Sequence, residues 1–140
     1  MAETSRVPWL SMVLTGLLAF VISIVITVAV VAGYAFALGF QARGAPDQNK
    51  IEAFAGGVSP FLGPAVLALL VIFGARRVVR RISSPQLWHG VLVGVFAALP
   101  TLIFMRSPGL GDVVGLFLPP ASGLLGAFWA MSRPRRMAEN

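Results

Sequence analysis

VPWLSMVLTGLLAFVISIVITVAVVAGYAFALGF, residues 7–40, runs from Val7 to Phe40 without one charged side chain. A bilayer's hydrocarbon is ~30 Å thick and ~20 apolar residues cross it as a helix, so this stretch alone spans a membrane with length to spare. Its reading decides the fold. Ala35-Phe36-Ala37 resembles a signal-peptide cleavage site, but such peptides carry an apolar core of only ~7–15 residues. A retained anchor is therefore expected.

Outward from it, Ala53 to Ala75, Leu87 to Met105 and Val113 to Met131 are further apolar runs. Of the 140 residues 57% are hydrophobic and 11% charged, and the mean hydropathy is +0.86, outside the range of soluble domains. The expected fold class is all-α: a polytopic membrane protein of four transmembrane helices, about 7–40, 47–82, 85–105 and 112–131, in a single domain over 1–140. The absence of cysteine excludes disulfides, thiol nucleophiles, iron–sulfur clusters and thiol oxidoreductases. The single histidine, His89, excludes a haem held by two histidines.

Four spans put both termini and the middle loop on one side. That side collects Arg6, Arg76, Arg77, Arg80, Arg81, Arg133, Arg135 and Arg136, against Arg43, Lys50 and Arg106 on the other, where they mix with Asp47, Glu52 and Asp112. Positive loops stay in the cytoplasm, so both termini are expected inside an inner membrane. Trp9, Trp88 and Trp129 then fall at the cytoplasmic interface, where an indole keeps its ring in lipid and its N–H at the headgroups.

Helix ends carry their own signals. Ser83, Pro85 and Gln86 predict a hydroxyl cap and a first-turn proline opening helix 3. Asp112 suits the start of helix 4, where unpaired N–H groups meet a carboxylate; a transport role is the competing reading. Pro46-Asp47 reads as the start of helix 2 after a turn over 42–45. Thirty-four residues at ~1.5 Å rise give ~50 Å, so helices 1 and 2 are expected to form a hairpin extending two or three turns beyond the outer leaflet; strong tilt is the alternative.

Helices in lipid associate through small residues and interhelical hydrogen bonds. On helix 1, Gly16, Ala19, Ser23, Thr27, Tyr34, Ala37 and Gln41 fall within roughly 80° of one another at 100° per residue. Helix 3 offers Gly90, Gly94, Ala97 and Thr101, helix 4 Gly111, Gly115, Pro119, Ser122 and Gly126, and helix 2 Gly56, Ser59, Pro60 and Gly63. These are expected packing seams, within one chain or between two in a homo-oligomer. Pro60, Pro64, Pro100, Pro119 and Pro120 all map to the outer layer, and each frees a carbonyl one turn earlier. Helices 2 to 4 are accordingly expected to be kinked or locally unwound there, around a shallow vestibule lined by Ser59, Thr101 and carbonyls near Gly56 and Gly115.

Arg76, Arg77, Arg80 and Arg81 take one side of a helical projection, with Val78, Val79 and Ile82 opposite. This reads as an amphipathic extension of helix 2, its arginines on lipid phosphates, possible anionic lipids included, and its valines in the interface. An acidic partner loop is the other reading. No nucleic-acid partner is expected, because no accompanying folded domain is present. His89 beside Trp88 reads as a hydrated interfacial side chain, with axial ligation of a pigment or metal as the alternative.

Transporters and proton pumps carry an ionisable group within a span; none lies mid-span here, and the first helix lacks the glutamate of four-helix multidrug exporters. Nor is there a nucleophile–base pair, a phosphate loop or a metal-ligand cluster. Gly74-Ala75-Arg76-Arg77, His89-Gly90-Val91-Leu92-Val93-Gly94 and Ser122-Gly123-Leu124-Leu125-Gly126 give the chain a resemblance, over about residues 53–130, to small bacterial four-helix membrane proteins of no established activity. The charged segment 42–52 differs from their first loop. That resemblance implies architecture alone, with no cofactor and no site residues. The expectation for function is a non-catalytic accessory subunit or assembly factor of a larger membrane complex, with membrane lipids and other subunits as partners. A homodimeric channel or carrier for a neutral or anionic solute, with Arg106 at its outer mouth, is the second reading, and lipid handling through the arginines the third.

Overall fold

The computed structural model describes residues 9–104 and 110–132, and the side chains of all of these except residues 104 and 110–112. Arg6, Arg106, Arg133, Arg135 and Arg136, together with the surroundings of Gly111 and the Asp112 carboxylate, lie outside the described residues. Four helices make up the regular structure: α1 (Trp9–Ala42), α2 (Gln48–Val79), α3 (Leu87–Phe104) and α4 (Leu110–Ser132). Three are long and apolar enough to cross a membrane, α1, α2 and, over Val113–Ser132, α4; Leu87–Ile103 of α3 is a shorter apolar helix.

Helix α3 packs on α4, α4 on α2, and α1 on both α2 and α3. Helices α2 and α3 also touch across the bundle, whereas α1 and α4 make no contact among the described residues, so the cross-section is a rhombus with α1 and α4 at its far corners. The Trp9 and Trp88 rings lie 6.0 Å apart, and the Arg76 guanidinium sits 3.7 Å above the Trp129 ring. All three tryptophans thus gather at one end of the bundle.

The core is densest at that end. Met12, Ala75, Val78, Ile82 and Val93 form one cluster, Val79, Ala127 and Ala130 a second, and Ala19, Leu67, Val71 and Ala97 a third further along. Small residues let the backbones approach. A Cβ on Gly16 would lie 2.7 Å from the Val93 carbonyl oxygen, and one on Gly94 would meet the backbone of Pro119 and Pro120. Gly90 and Gly123 press on each other's helices, and Gly126 on the carbonyl of Ile72. Dispersion contacts replace the hydrophobic effect as the binding force between helices in lipid, and they need this closeness.

Only the first half of the α1 stripe is buried. Gly16, Ala19 and Ser23 are its buried positions, with Met12 buried one turn before them; Thr27 and Tyr34 are half-buried, and Ala37 and Gln41 exposed. The cause is length. Phe104 ends α3 seven residues past Ala97, the level of Gly16, or ~10 Å at ~1.5 Å per residue. Beyond Gly16, α1 continues to Ala42, ~39 Å. Among the described residues the outer parts of α1 and α2 therefore pair mainly with each other, through stacked Tyr34 and Phe54 rings 3.9 Å apart.

The hairpin turn is set by backbone chemistry. Arg43 N–H donates to the Phe40 carbonyl and Gly44 N–H to the Gly39 carbonyl, the double closure that ends a helix when the next residue turns left-handed. Arg43 occupies that position at φ 50°, although Gly44 follows it. Asp47 then caps α2, its carboxylate accepting from Asn49 N–H at 3.0 Å.

Several expectations change. Helix α2 stops at Val79, and Val78, Val79 and Ile82 are buried in the bundle rather than laid into the lipid interface, because α3 and α4 converge on α2 there. The opening of α3 is Leu87 rather than Pro85. Gln86, not Ser83, stands immediately before it: its backbone N–H and carbonyl both lie within hydrogen-bond reach of His89 Nδ1, at 3.2 and 3.1 Å, and its side-chain oxygen accepts from the Trp88 indole. His89 thus reaches back to the Gln86 backbone from the position where glutamate or glutamine usually does. At 4% exposure it is buried rather than hydrated. None of the prolines unwinds its helix: α2, α3 and α4 run unbroken through Pro60, Pro64, Pro100, Pro119 and Pro120.

Candidate functional site

Where α3 ends and the hairpin continues, the four helices part. A crevice of about 570 Å³ opens there, lined by Phe20, Ser23, Ile24, Thr27 and Val28 of α1, Ser59, Pro60, Gly63, Pro64 and Leu67 of α2, Thr101 of α3 and Gly115 of α4. Two features hold it open. Gly63 and Gly115 place no side chain in it, and a Cβ on either would meet only ordinary contacts, with Thr27 at 3.7 Å and Thr101 at 3.6 Å. Furthermore α1 and α4, on opposite sides, make no contact among the described residues.

Its chemistry is apolar with isolated hydroxyls. Ser23 donates across to the Gly63 carbonyl at 2.8 Å, joining α1 to α2, and Thr27 donates to the Ser23 carbonyl at 2.9 Å. Ser59 and Thr101 contribute hydroxyls that make no hydrogen bond among the described residues. Among the described residues no charged side chain lines the crevice. Prolines add backbone acceptors: in a regular helix the Pro60 carbonyl would receive the N–H of residue 64 and the Gly115 carbonyl that of residue 119, and both of those residues are proline. Pro60 and Gly115 themselves line the crevice.

The expected vestibule thus brings Ser59, Thr101, Gly115, Pro60 and Pro64 together. Gly56 stays outside, on an exposed stretch where a Cβ would touch nothing. Pro100, Pro119 and Pro120 do not line it either; Pro119 is fully buried against Gly94. Ser122 is buried too, beside the Gly123 that Gly90 meets. Sequence reasoning missed the share of α1. Ser23 and Thr27 read as packing residues, and no spacing rule tells a hydroxyl on a seam from one beside a gap.

At the tryptophan end, Arg76 is half-buried on Trp129, which also meets Phe73 edge-on. Arg77 is exposed on the last turn of α2, and Arg80 and Arg81 are exposed in the turn after it. The four arginines consequently do not form one continuous helical face. At the opposite end the hairpin carries Phe36 and Phe40, 76% and 81% exposed, beneath a tip where Lys50 and Asp47 approach to 3.9 Å. Among the described residues no three histidine or acidic side chains gather as a metal site.

Set against known protein families, curated proteins and solved structures, the chain finds no match.

Proposed function

We propose that this protein is a non-catalytic integral membrane subunit or assembly factor that docks on a larger membrane complex through the outer part of its α1–α2 hairpin. In this reading all four helices span a bacterial inner membrane with both termini cytoplasmic. Helix α3 has 18 residues, ~27 Å of rise, close to the ~30 Å of hydrocarbon. The tryptophan end with its arginines takes the cytoplasmic face, where anionic headgroups meet Arg77, Arg80 and Arg81.

One observation carries the proposal. A membrane thickness matched to α3 leaves roughly the last four to five turns of α1 and the facing turns of α2 outside it, and there Phe36 and Phe40, one helical turn apart, stand exposed. Aromatic side chains projecting beyond the headgroups cost free energy in water, and a partner surface that takes them up removes that cost.

Gentle extraction from the native membrane, followed by a native gel and protein identification, tests this. The expected result is copurification with other membrane chains at fixed stoichiometry. A small homo-oligomer holding only lipid overturns it.

A further inference from the structure

We infer that the outer crevice is a binding site for an uncharged lipid alcohol, a hydrocarbon chain ending in a free hydroxyl. Size comes first: about 570 Å³ lies within the ~300–1,000 Å³ of small-molecule sites. Its rim is apolar and exposed, with Ile24 at 45% and Val28 at 60%, so a chain enters sideways from hydrocarbon rather than from water. Depth comes next. Ser23 lies fourteen residues past Trp9 on one helix, ~21 Å from the tryptophan end, in the outer third of a bilayer that α3 spans.

The polar groups then choose the head. A phosphate or carboxylate would leave its charge uncompensated in this lining, which holds no cation among the described residues. The Pro60 and Gly115 carbonyls lack the i+4 N–H donor of a regular helix, so what they can take up is a donor. Ser59 and Thr101 supply hydroxyls with no partner among the described residues, each able to donate and to accept. A hydroxyl head both gives a proton to a carbonyl and takes one from Ser59 or Thr101. An ether or ester of the same chain can only accept. Acylglycerols and isoprenoid alcohols share this head.

The test uses the full chain in nanodiscs of phosphatidylethanolamine and phosphatidylglycerol, with a diacylglycerol carrying a photoactivatable diazirine in one acyl chain. Saturable labelling within residues 20–28 and 59–67 is expected. A C20 isoprenoid alcohol and unlabelled diacylglycerol are the competitors, and the stronger of the two identifies the source of the head. The methyl ether of the C20 alcohol competes about five- to tenfold less well, the loss that one or two hydrogen bonds bring. Gly63→Leu abolishes labelling, and Ser59→Ala with Thr101→Val weakens it several-fold. Gly57→Leu, placed where a Cβ meets open space, leaves it unchanged and controls for folding, as does an unaltered thermal transition for each variant. Equal competition by the ether, equal labelling by a phosphatidylcholine with the same diazirine chain, or full labelling of a folded Gly63→Leu protein overturns the inference.

Discussion

Glycine does two different jobs in this chain, and a single added methyl group separates them. At Gly94 the methyl would collide with the backbone of Pro119 and Pro120, which cannot turn aside as a side chain can, while at Gly33 it would meet nothing within 4 Å. Gly94→Ala is expected to destabilise the bundle by about 1–3 kcal/mol, the usual cost of overpacking, and Gly33→Ala to be neutral or slightly stabilising through helix propensity. Thermal unfolding in one detergent checks both, and equal transitions would refute the difference. Arg43 presents the opposite case, a side chain where glycine fits better. Its φ of 50° costs a non-glycine residue about 1 kcal/mol, so Arg43→Gly is expected to raise the unfolding temperature by a few degrees. A lowered transition would show that the arginine side chain contributes more than its backbone strain costs.

Among elements, the unequal lengths of the helices matter most. Helix α1 has 34 residues and α3 18, and everything beyond the end of α3 rests on the pairing of α1 with α2. Because the chain has no cysteine, single cysteines report position cleanly. At Glu52 and Phe54, cysteines are expected to react with an aqueous maleimide in intact membranes, at rates within about tenfold of a loop site at residue 44; protection of both would favour a tilted hairpin held in lipid. The overhang was legible in the sequence because a run of apolar residues converts to length at a fixed rise per residue. The caps were less so. Ser83-Ser84-Pro85 has the composition of a helix start, yet α3 opens after Gln86, where buried His89 reaches back to the Gln86 backbone.

At the scale of the whole molecule, packing is graded along one axis. The tryptophan end is closed by alanine, valine and glycine contacts, and the far end by one aromatic stack and a turn. This predicts that the hairpin tip bears substitution without loss of fold: Phe36→Ser with Phe40→Ser is expected to leave the thermal transition within about 2 °C of the parent, as exposed sites usually do, and to abolish copurification with partner chains. Retention of the same partners by this variant would move the docking surface elsewhere.

The sequence by itself determined the number of helices, their approximate limits, the gathering of the three tryptophans at one end and the hairpin's excess length. Each follows from quantities local to the chain: hydropathy, rise per residue and the backbone preferences of proline and glycine. Only the tertiary structure decided which of the small-residue faces close and which stay apart. The seam of Gly90 and Gly94 closes on α4, whereas the equally small Gly63 and Gly115 face a gap, because α1 and α4 occupy opposite corners of the bundle and make no contact among the described residues. It also turned Val78 and Val79 inward and split the arginines between a stacked Arg76 and an exposed remainder. A periodic pattern states that a face is small or polar; what stands across from that face depends on where the other three helices lie.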